Sequence, residues 1–240
     1  TGIPLSEYTS IGCHTSLWDF EKRDYHDWVY AENLDQILPP IVSTETSINM
    51  NYNGKRIKIG VGIHDSSAAL LPYVRSLKNQ FILISTGTWS IALNPFVERT
   101  LSKKDVADDC INYMRINGKP VKSARLFLGN EYSIQVKKLT EYYQVGKDYH
   151  KTVKFDPEIH YEIVKEFEKI FKWESIEDPE MPEETHLRYT SFDHAYHHLM
   201  MELVLLQVES IKSAKGNMTI EKLFVDGGFS DNDIKKQKLR

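Results

Sequence analysis

The sequence predicts a mixed α/β domain, and three observations support this prediction. Segments with the period-two alternation of strands are interspersed with segments of helical periodicity. No internal repeat interrupts this alternation of strands, helices and hairpins. Of the 240 residues, 41% are apolar and 11% are aromatic, which is enough to bury a substantial core and argues against a disordered or low-complexity chain.

The first third of the chain is predicted to contain irregular structure, one short helix and a single strand. One short helix is expected from about Tyr25 to Gln36, and the pair Pro39-Pro40 ends it. The stretch from Arg56 to Ile63 places its isoleucines on one face at period two, which predicts a strand. That strand leads into His64 and Asp65, and a helix is expected to start at Ser66.

The middle of the chain is predicted to contain two strand pairs and a helix. A glycine-containing turn, Thr86-Gly-Thr88, joins the first two strands as a hairpin. The predicted elements are strands at Phe81 to Ser85, Trp89 to Leu93, Ile111 to Ile116 and Lys119 to Val121, and a helix from about Ser123 to Tyr143.

The last third is predicted to contain two helices, a loop and a final strand. The helices run from Asp156 to Lys172 and from Ser191 to Lys215, and the acidic segment from Trp173 to His186 between them is a loop. The final strand, Lys222 to Asp226, ends at Gly227-Gly228, and a further helix is expected after it.

Composition and charge exclude several classes of function. The 30 Lys and Arg residues against 34 Asp and Glu residues give a formal net charge of −4, and the basic residues are scattered apart from a short cluster at the C-terminus, so we expect no nucleic-acid partner. No apolar run is long enough to cross a bilayer, so we expect no membrane association. Cys13 and Cys110 are far apart and form neither a disulfide framework nor a zinc-knuckle spacing, which favours a cytoplasmic location.

Three sites share one form, in which an apolar strand is followed by small, Gly-rich or acidic residues. They are His64-Asp65, Ser85-Thr-Gly-Thr88 and Asp226-Gly-Gly228. Ligands of α/β proteins bind at strand ends, and a Thr-Gly-Thr turn offers backbone N–H groups and hydroxyls to phosphate. Each site also has a structural interpretation. The Thr-Gly-Thr segment can be an ordinary hairpin turn, and Gly227-Gly228 can be a helix-entry turn. Asp65 can be a helix N-cap, and His64 can be a core histidine.

The order and content of these motifs resemble a known family. Three strings, Gly62-Ile-His-Asp-Ser-Ser-Ala-Ala69, Ile84-Ser-Thr-Gly-Thr-Trp-Ser90 and Leu223-Phe-Val-Asp-Gly-Gly-Phe-Ser-Asp-Asn232, look like the C-terminal half of FGGY-family carbohydrate kinases. The His-Asp-Ser form and the Thr-Gly-Thr-Trp turn are most similar to the rhamnulokinase and L-fuculokinase branch. Glu7-Tyr-Thr-Ser10 and Leu38-Pro-Pro-Ile-Val42 look like the end of that family's N-terminal domain.

The resemblance implies a fold, a domain division and an activity. The fold would be an actin-like, ribonuclease-H-like ATPase domain, in which helices flank a mixed β-sheet and nucleotide is held between two lobes. Residues 1–42 would be a remnant of the N-terminal sugar kinase domain, and residues 43–240 a truncated C-terminal domain. The activity would be ATP-dependent phosphorylation of a ketose or deoxyketose of the rhamnulose, fuculose or xylulose type.

The same resemblance assigns roles to individual residues. Asp65 matches the general base that takes the proton from the attacking sugar hydroxyl, a role that suits phosphoryl transfer because one carboxylate aimed at the nucleophile suffices. His64 matches a residue beside the sugar. The residues that match the nucleotide site are Thr86, Gly87 and Thr88 at the phosphates, Gly129 at a further contact, and Gly227, Gly228 and Asn232 on the adenosine side.

The sequence also departs from the family. Ser66 stands where glycerol and xylulose kinases usually have Gln, which argues against those substrates. The Asp-x-Gly-Thr/Ser turn of the N-terminal domain, which binds phosphate and magnesium, has no match here. The missing N-terminal lobe is therefore an implied partner besides the sugar, and little turnover is expected from this chain alone. The cofactors that the resemblance implies are ATP and Mg²⁺. A homodimer stays open.

A different class of function is also open, namely a non-catalytic nucleotide-binding or metal-binding α/β domain. His194, His197 and His198 occupy positions i, i+3 and i+4 of a predicted helix, a spacing that can bring imidazoles to one metal ion. No Glu lies between them in the H-E-x-x-H manner, and no Cys is near, so a structural helix is the favoured interpretation and no metal ligand is assigned.

Overall fold

The computed structural model describes residues 2–228 and Ile234, and within them the chain forms eleven strands and seven α-helices. The strands are β1 Ser6–Glu7, β2 Trp18–Asp19, β3 Asp24–Tyr25, β4 Ile41–Val42, β5 Ser47–Tyr52, β6 Lys55–Gly60, β7 Phe81–Thr86, β8 Ser90–Asn94, β9 Cys110–Met114, β10 Pro120–Leu126 and β11 Lys222–Gly227. The helices are α1 Tyr8–Gly12, α2 Asp27–Ala31, α3 Asp65–Ser76, α4 Lys103–Ala107, α5 Leu128–Tyr142, α6 Pro157–Lys165 and α7 Phe192–Lys215. Two short 3₁₀ helices lie at Leu34–Gln36 and Tyr149–Lys151.

A five-stranded sheet in the order β11-β7-β8-β10-β9 is the largest sheet of the described residues. The first four residues of β7, Phe81 to Ile84, are fully buried, as expected for a strand covered on both faces. Strands β7 and β8 are neighbours joined by only three residues, so they form the predicted hairpin. Strands β9 and β10 pair antiparallel, which confirms the second predicted strand pair.

The chain divides into two compact units. The first unit contains Thr1–Leu83, Leu93–Ala124 and Ala214–Leu223, and the second contains Ile84–Ala92, Arg125–Ser213 and Phe224–Arg240. One apolar cluster fills the second unit and draws mainly on α5, α7 and the loop between α6 and α7. The predicted division at residue 42 stays a prediction.

The strand predicted from Arg56 to Ile63 ends earlier, at Gly60. Strand β6 pairs antiparallel with β5 through the turn residues Asn53 and Gly54, whose φ angles of 48° and 74° suit a tight hairpin. This hairpin forms its own two-stranded sheet. The prediction that the strand leads directly into His64 was therefore wrong, because four residues outside any strand precede Asp65.

Two predicted helices begin or end at other residues than expected. The helix expected from Tyr25 to Gln36 breaks at Asn33, which has a left-handed φ of 55°, so α2 is followed by a separate 3₁₀ helix. The helix expected from Ser123 begins at Leu128 instead, because β10 continues to Leu126 and its residues up to Ala124 pair with β9. Pairing with a neighbouring strand has overridden the local helical pattern there.

The helix expected from Asp156 to Lys172 ends at Lys165. Its start is as predicted, since Asp156 is the N-cap and Pro157 occupies the first helical position. Beyond it the backbone N–H groups of Ile170 and Phe171 donate to the buried Glu202 carboxylate on α7, at 2.7 and 3.3 Å. A side chain thus replaces the helical hydrogen bonds, and the chain stays irregular up to α7, which confirms the predicted loop.

A buried ion pair stabilises the first unit. Asp105 closes a capping box with Ser102 at the start of α4, and its carboxylate binds Lys122 at 2.5 Å and Arg99 at 2.7 Å. The side chain of Lys122 is only 2% exposed. Burial alone would raise the pKa of Asp105, but the hydrogen bonds from Arg99, Lys122 and Ser102 hold the pKa of this carboxyl well below its ordinary value.

The two cysteines are separate, buried thiols. Burial raises the pKa of Cys13 and of Cys110 to about 11, so both stay protonated at neutral pH and are poor nucleophiles. No helix of the described residues combines the length and the apolar character that a membrane span requires.

Candidate functional site

The turn between β7 and β8 lies at the centre of the candidate site in the second unit. Gly87 and Thr88 are exposed, whereas Thr86 at the end of β7 is buried. The N–H of Gly87 donates to Trp89 O at 2.8 Å, and the Thr86 hydroxyl donates to Asp226 O at 2.6 Å. The Thr86 hydroxyl therefore fixes the turn to the end of β11, and Thr88 is the exposed threonine of the pair.

Gly227 and Gly228 contact this turn from the end of β11. Gly227 has a φ of 86°, and a Cβ built on it would collide with the Thr86 carbonyl oxygen. The N–H of Gly228 donates to that same oxygen at 2.9 Å. Only glycine satisfies both the left-handed backbone and the close approach at position 227, so the predicted Gly-Gly turn packs directly against the predicted Thr-Gly-Thr turn.

Gly129, near the start of α5, contacts the same turn. It is buried, and a Cβ at this position would collide with the Gly87 carbonyl oxygen and lie 3.0 Å from Thr88 O. The next residue strengthens the contact, since the N–H of Asn130 donates to Thr88 O at 3.1 Å. Three predicted nucleotide-binding segments therefore meet around Gly87 within the second unit, and we call this set the Gly87 turns.

Two glycines of the Gly87 turns have no structural requirement of their own. A Cβ on Gly87 would meet its nearest atom, Trp89 O, at 3.9 Å, and a Cβ on Gly228 would meet Thr86 O at the same distance. Neither residue has a left-handed φ, and both are exposed. Since the fold leaves room for a side chain, the absence of one keeps the backbone open to a ligand.

Side chains that the sequence did not single out lie beside this turn. The Arg125 guanidinium lies 5.6 Å from the centre of the half-exposed Trp89 ring, and the Phe127 ring lies 4.4 Å from it. Both residues lie where the sequence predicts a helix, so no local signal marked them as neighbours of this turn. The predicted Asn232 lies outside the described residues.

His64 and Asp65 belong to the first unit, where they start α3. His64 is the N-cap, and its Nδ1 accepts the Ser66 N–H at 3.3 Å, so the alternative interpretation of Asp65 as the helix N-cap does not hold. Asp65 is the first helical residue, and its side chain is 93% exposed. One Asp65 oxygen also accepts the Ser66 N–H at 2.6 Å, which leaves the rest of the carboxylate open to solvent.

A buried hydrogen-bond chain fixes the backbone before Asp65. The N–H of His64 donates to Thr9 Oγ1 at 2.9 Å, and that hydroxyl donates to Glu7 Oε2 at 2.5 Å. Glu7 is 3% exposed and also accepts the Thr9 N–H at the start of α1. The buried hydrogen bonds of Glu7 and Thr9 therefore fix the start of α3, while the Asp65 carboxylate extends into solvent.

Two aromatic residues surround His64 that sequence reasoning missed. The His14 ring lies 5.2 Å from the His64 ring and 4.6 Å from Tyr113, which lies 5.4 Å from His64. His14 is exposed and has a left-handed φ of 63°, unusual for a residue with a side chain. Its sequence neighbourhood carries no signal for this contact, because it lies 50 residues from His64.

The three histidines of α7 bind separate partners. Each ring nitrogen lies within hydrogen-bond distance of a different group: Ser191 and Glu162 for His194, Asp193 and Asp156 for His197, and Tyr189 and Glu168 for His198. In the part of the chain that the structure describes, no group of three His, Cys, Asp or Glu side chains is arranged to hold a metal ion. The geometry favours the structural interpretation of this helix.

A family model matches part of the chain. Residues 78–159 match the family model described as the C-terminal domain of FGGY carbohydrate kinases, a segment that contains Gly87 and Gly129. It covers about a third of the chain. No curated protein sequence matches.

Several solved structures share the fold. A carbohydrate kinase from Novosphingobium aromaticivorans is 24% identical with a TM-score of 0.70, and the match covers 98% of this chain and 53% of that one. A ligand-bound xylulose kinase from Lactobacillus acidophilus is 9% identical, with a TM-score of 0.67 and coverages of 99% and 50%. A gluconate kinase from Lactobacillus acidophilus is 10% identical, with a TM-score of 0.58 and coverages of 99% and 50%.

These similarities establish the fold of the chain. It is the mixed α/β fold of the FGGY kinase domains, the actin-like ATPase fold, with a mixed sheet flanked by helices. The chain spans about half the length of each of these sugar kinases.

Proposed function

We propose that this chain is the nucleotide-binding part of an ATP-dependent carbohydrate kinase that phosphorylates a ketose or deoxyketose. The observation that carries the proposal is the meeting of three glycine-bearing segments around Gly87. Two of these glycines are required by close backbone contacts, whereas Gly87 and Gly228 leave open space where a Cβ would otherwise stand. Side-chain-free backbone beside the exposed Thr88 hydroxyl lets a phosphate group approach the main chain closely.

The residues present fit a nucleotide. Gly87 and Thr88 offer exposed backbone and a hydroxyl for the phosphates, and Gly227 and Gly228 offer an exposed, side-chain-free surface for the adenosine side. Gly129 packs against the backbone of Gly87 and Thr88 and fixes the turn. ATP would supply the phosphoryl group, with Mg²⁺ neutralising the charge of the triphosphate.

Asp65 is proposed as the general base. Its exposed carboxylate accepts the proton of a sugar hydroxyl as that oxygen attacks phosphorus, so that the developing alkoxide never carries a full charge. The rigid start of α3 supports this role, because the Glu7-Thr9 chain fixes the His64 backbone and positioning dominates phosphoryl transfer. The His64 Nδ1 atom lies 3.1 Å from an Asp65 oxygen, and the exposed His14 ring lies 5.2 Å from the His64 ring. Both rings would bind sugar hydroxyls.

The substrate branch is the finer part of the proposal. The His64-Asp65-Ser66 string supports a sugar of the rhamnulose or fuculose type, because Ser66 replaces the Gln of glycerol and xylulose kinases. The sugar kinases of similar fold are about twice as long as this chain. We therefore propose that turnover requires an N-terminal lobe that supplies the Asp-x-Gly-Thr/Ser turn and the ligands of magnesium.

The nucleotide proposal is tested by calorimetric titration of MgATP into the chain and two variants. Gly228→Asp places a carboxylate on the Gly87 turns, where it repels the anionic nucleotide and occupies its space, and we expect the affinity for MgATP to fall at least tenfold. Gly146→Asp is the matched control, because Gly146 is also exposed, lacks a left-handed φ and has no atom within 4 Å of its Cβ position. Absence of binding by the parent chain, or equal loss in both variants, would contradict the proposal.

A further inference from the structure

A small recess in the first unit lies along the C-terminal half of α3. Its volume is about 260 Å³, close to the lower limit of ordinary ligand pockets, roughly 300 Å³. The residues that line it are Ser67, Leu70, Leu71, Val74, Arg75, Arg115, Ile116 and Asn117. None of them has a role in the proposed kinase reaction, and we call this cavity the α3 recess.

The walls of the α3 recess are largely apolar. Leu70, Leu71 and Val74 come from successive turns of α3, and Ile116 comes from the turn after β9. The Ser67 hydroxyl donates to Met114 O at 2.7 Å, so its hydrogen is committed to the backbone. A sugar needs many hydrogen-bonding groups around it, whereas these walls suit a short hydrocarbon or an aromatic ring.

Two guanidinium groups give the recess its charge. Among the described residues neither Arg75 nor Arg115 forms an ion pair, and the one side-chain hydrogen bond of Arg115 goes to Pro95 O at 3.4 Å. Burial lowers the pKa of Arg115, and the nearby Glu98 only partly offsets this effect. Glu98 itself pairs with Lys119 at 2.5 Å. Arg115 is thus a partly buried cation without a carboxylate partner, which an incoming anion would stabilise.

We propose that the α3 recess binds a small organic anion that joins a carboxylate or a phosphate monoester to a short apolar body. The anionic group lies between Arg75 and Arg115, because guanidinium groups bind both oxyanions through paired hydrogen bonds. The apolar body packs against Leu70, Leu71 and Val74. Such a ligand differs in chemistry from both the sugar and the nucleotide of the proposed kinase reaction.

The test compares matched probes by calorimetry or by amide chemical shifts. Benzoate and phenyl phosphate carry the anion on an apolar ring, benzamide has the ring without the charge, and inorganic phosphate has the charge without the ring. We expect benzoate or phenyl phosphate to bind at least tenfold more tightly than benzamide and inorganic phosphate. The stronger of the two anions identifies the carboxylate or the phosphate ester as the preferred class.

Variants assign the binding to the recess. Arg75→Gln and Arg115→Gln should each lower the affinity for the preferred probe about tenfold. Val74→Trp should fill the recess and abolish binding with both arginines intact. Arg56→Gln, which removes an exposed cation on β6, should change nothing. Because Arg75 is exposed, its variant is expected to fold even if Arg115→Gln does not.

Several results would overturn the proposal. Equal binding of benzoate and benzamide would show that no cation is involved, and equal binding of phenyl phosphate and inorganic phosphate would show that the apolar wall is not used. Undiminished affinity in Arg75→Gln and Val74→Trp would place the anion elsewhere. Absence of binding by every probe would also contradict it.

Discussion

The Gly87 turns in the second unit and the start of α3 in the first unit present their site residues in opposite ways. Around Gly87 the site is made of backbone, and Gly129 and Gly227 bring the segments into contact. At α3 the site is one side chain, Asp65, which extends from a buried anchor into solvent. Gly87, Gly228 and Asp65 are the proposed site residues that the fold does not need, whereas Gly227 and the N-cap His64 also have structural roles.

The largest expected effect is on the rate of phosphorylation when Asp65 at the start of α3 is replaced, with no change in the fold. Asp65→Asn should slow sugar phosphorylation by about 10²–10⁴-fold, the usual contribution of a general base, while thermal unfolding stays unchanged. The rate is measured in a two-lobe polypeptide that contains this chain. Asp27→Asn is a close control, because Asp27 is likewise the first residue of a helix, follows an N-cap histidine and is 87% exposed. Equal rates in the two variants would refute Asp65 as the base.

A second prediction contrasts Asp65 with the buried carboxylate of the same unit. Asp105→Asn should lower the free energy of unfolding by about 3 kcal/mol at pH 7, because Lys122 is left as a buried charge with one partner fewer. The folded pKa of Asp105 is depressed, so its contribution is present above the unfolded pKa of about 4 and is lost as the pH falls toward the folded value. Urea unfolding of parent and variant at several pH values should show their difference shrinking below about pH 4. A difference independent of pH would contradict this interpretation.

A third prediction concerns a glycine that the fold requires. Gly129→Ala should lower the free energy of unfolding by about 2 kcal/mol, because the new methyl group collides with the Gly87 backbone and α5 must shift. Chemical denaturation measures the loss, and Gly146→Ala, an exposed glycine with open space around it, should show almost none. If both variants are equally stable, the close approach of Gly129 to Gly87 is wrong.

The smallest expected effect concerns a glycine that the fold does not require. Gly87→Ala should leave stability within about 0.5 kcal/mol, because the nearest atom to the added Cβ is 3.9 Å away. It should lower the affinity for MgATP about tenfold, or about 1.4 kcal/mol in binding free energy, since the methyl group occupies space proposed for phosphate. Calorimetry on the parent, Gly87→Ala and Gly146→Ala separates the two effects. Parent-like affinity in Gly87→Ala would contradict the distinction between the two kinds of glycine.

The sequence predicted those parts of the fold whose signal is local. A run of consecutive apolar residues located β7, the segment from Trp89 to Leu93 located β8, and the glycines after β7 and β11 located the turns between elements. Helix α7 was also predictable, because its helical periodicity continues for 24 residues. The same local signals predicted a helix from Ser66, one residue after the observed start of α3 at Asp65.

What the sequence did not predict depends on distant partners. Helix α6 ends early because Glu202, more than 30 residues away, binds the backbone that would continue it. Gly129 contacts Gly87 across 42 positions, so its role as a packing residue has no local pattern. His14 lies beside His64 for the same reason. Periodicity reports which face of an element is buried, but not which element covers it.

The most direct measurement is a titration of the isotope-labelled chain with MgATP, followed by amide chemical shifts. If the Gly87 turns hold the nucleotide, the largest shifts will occur at Gly87, Thr88 and Gly228, and Gly146 will not move. Shifts confined to other residues at saturating MgATP, or no shifts at all, would contradict the central claim that these turns form a nucleotide site.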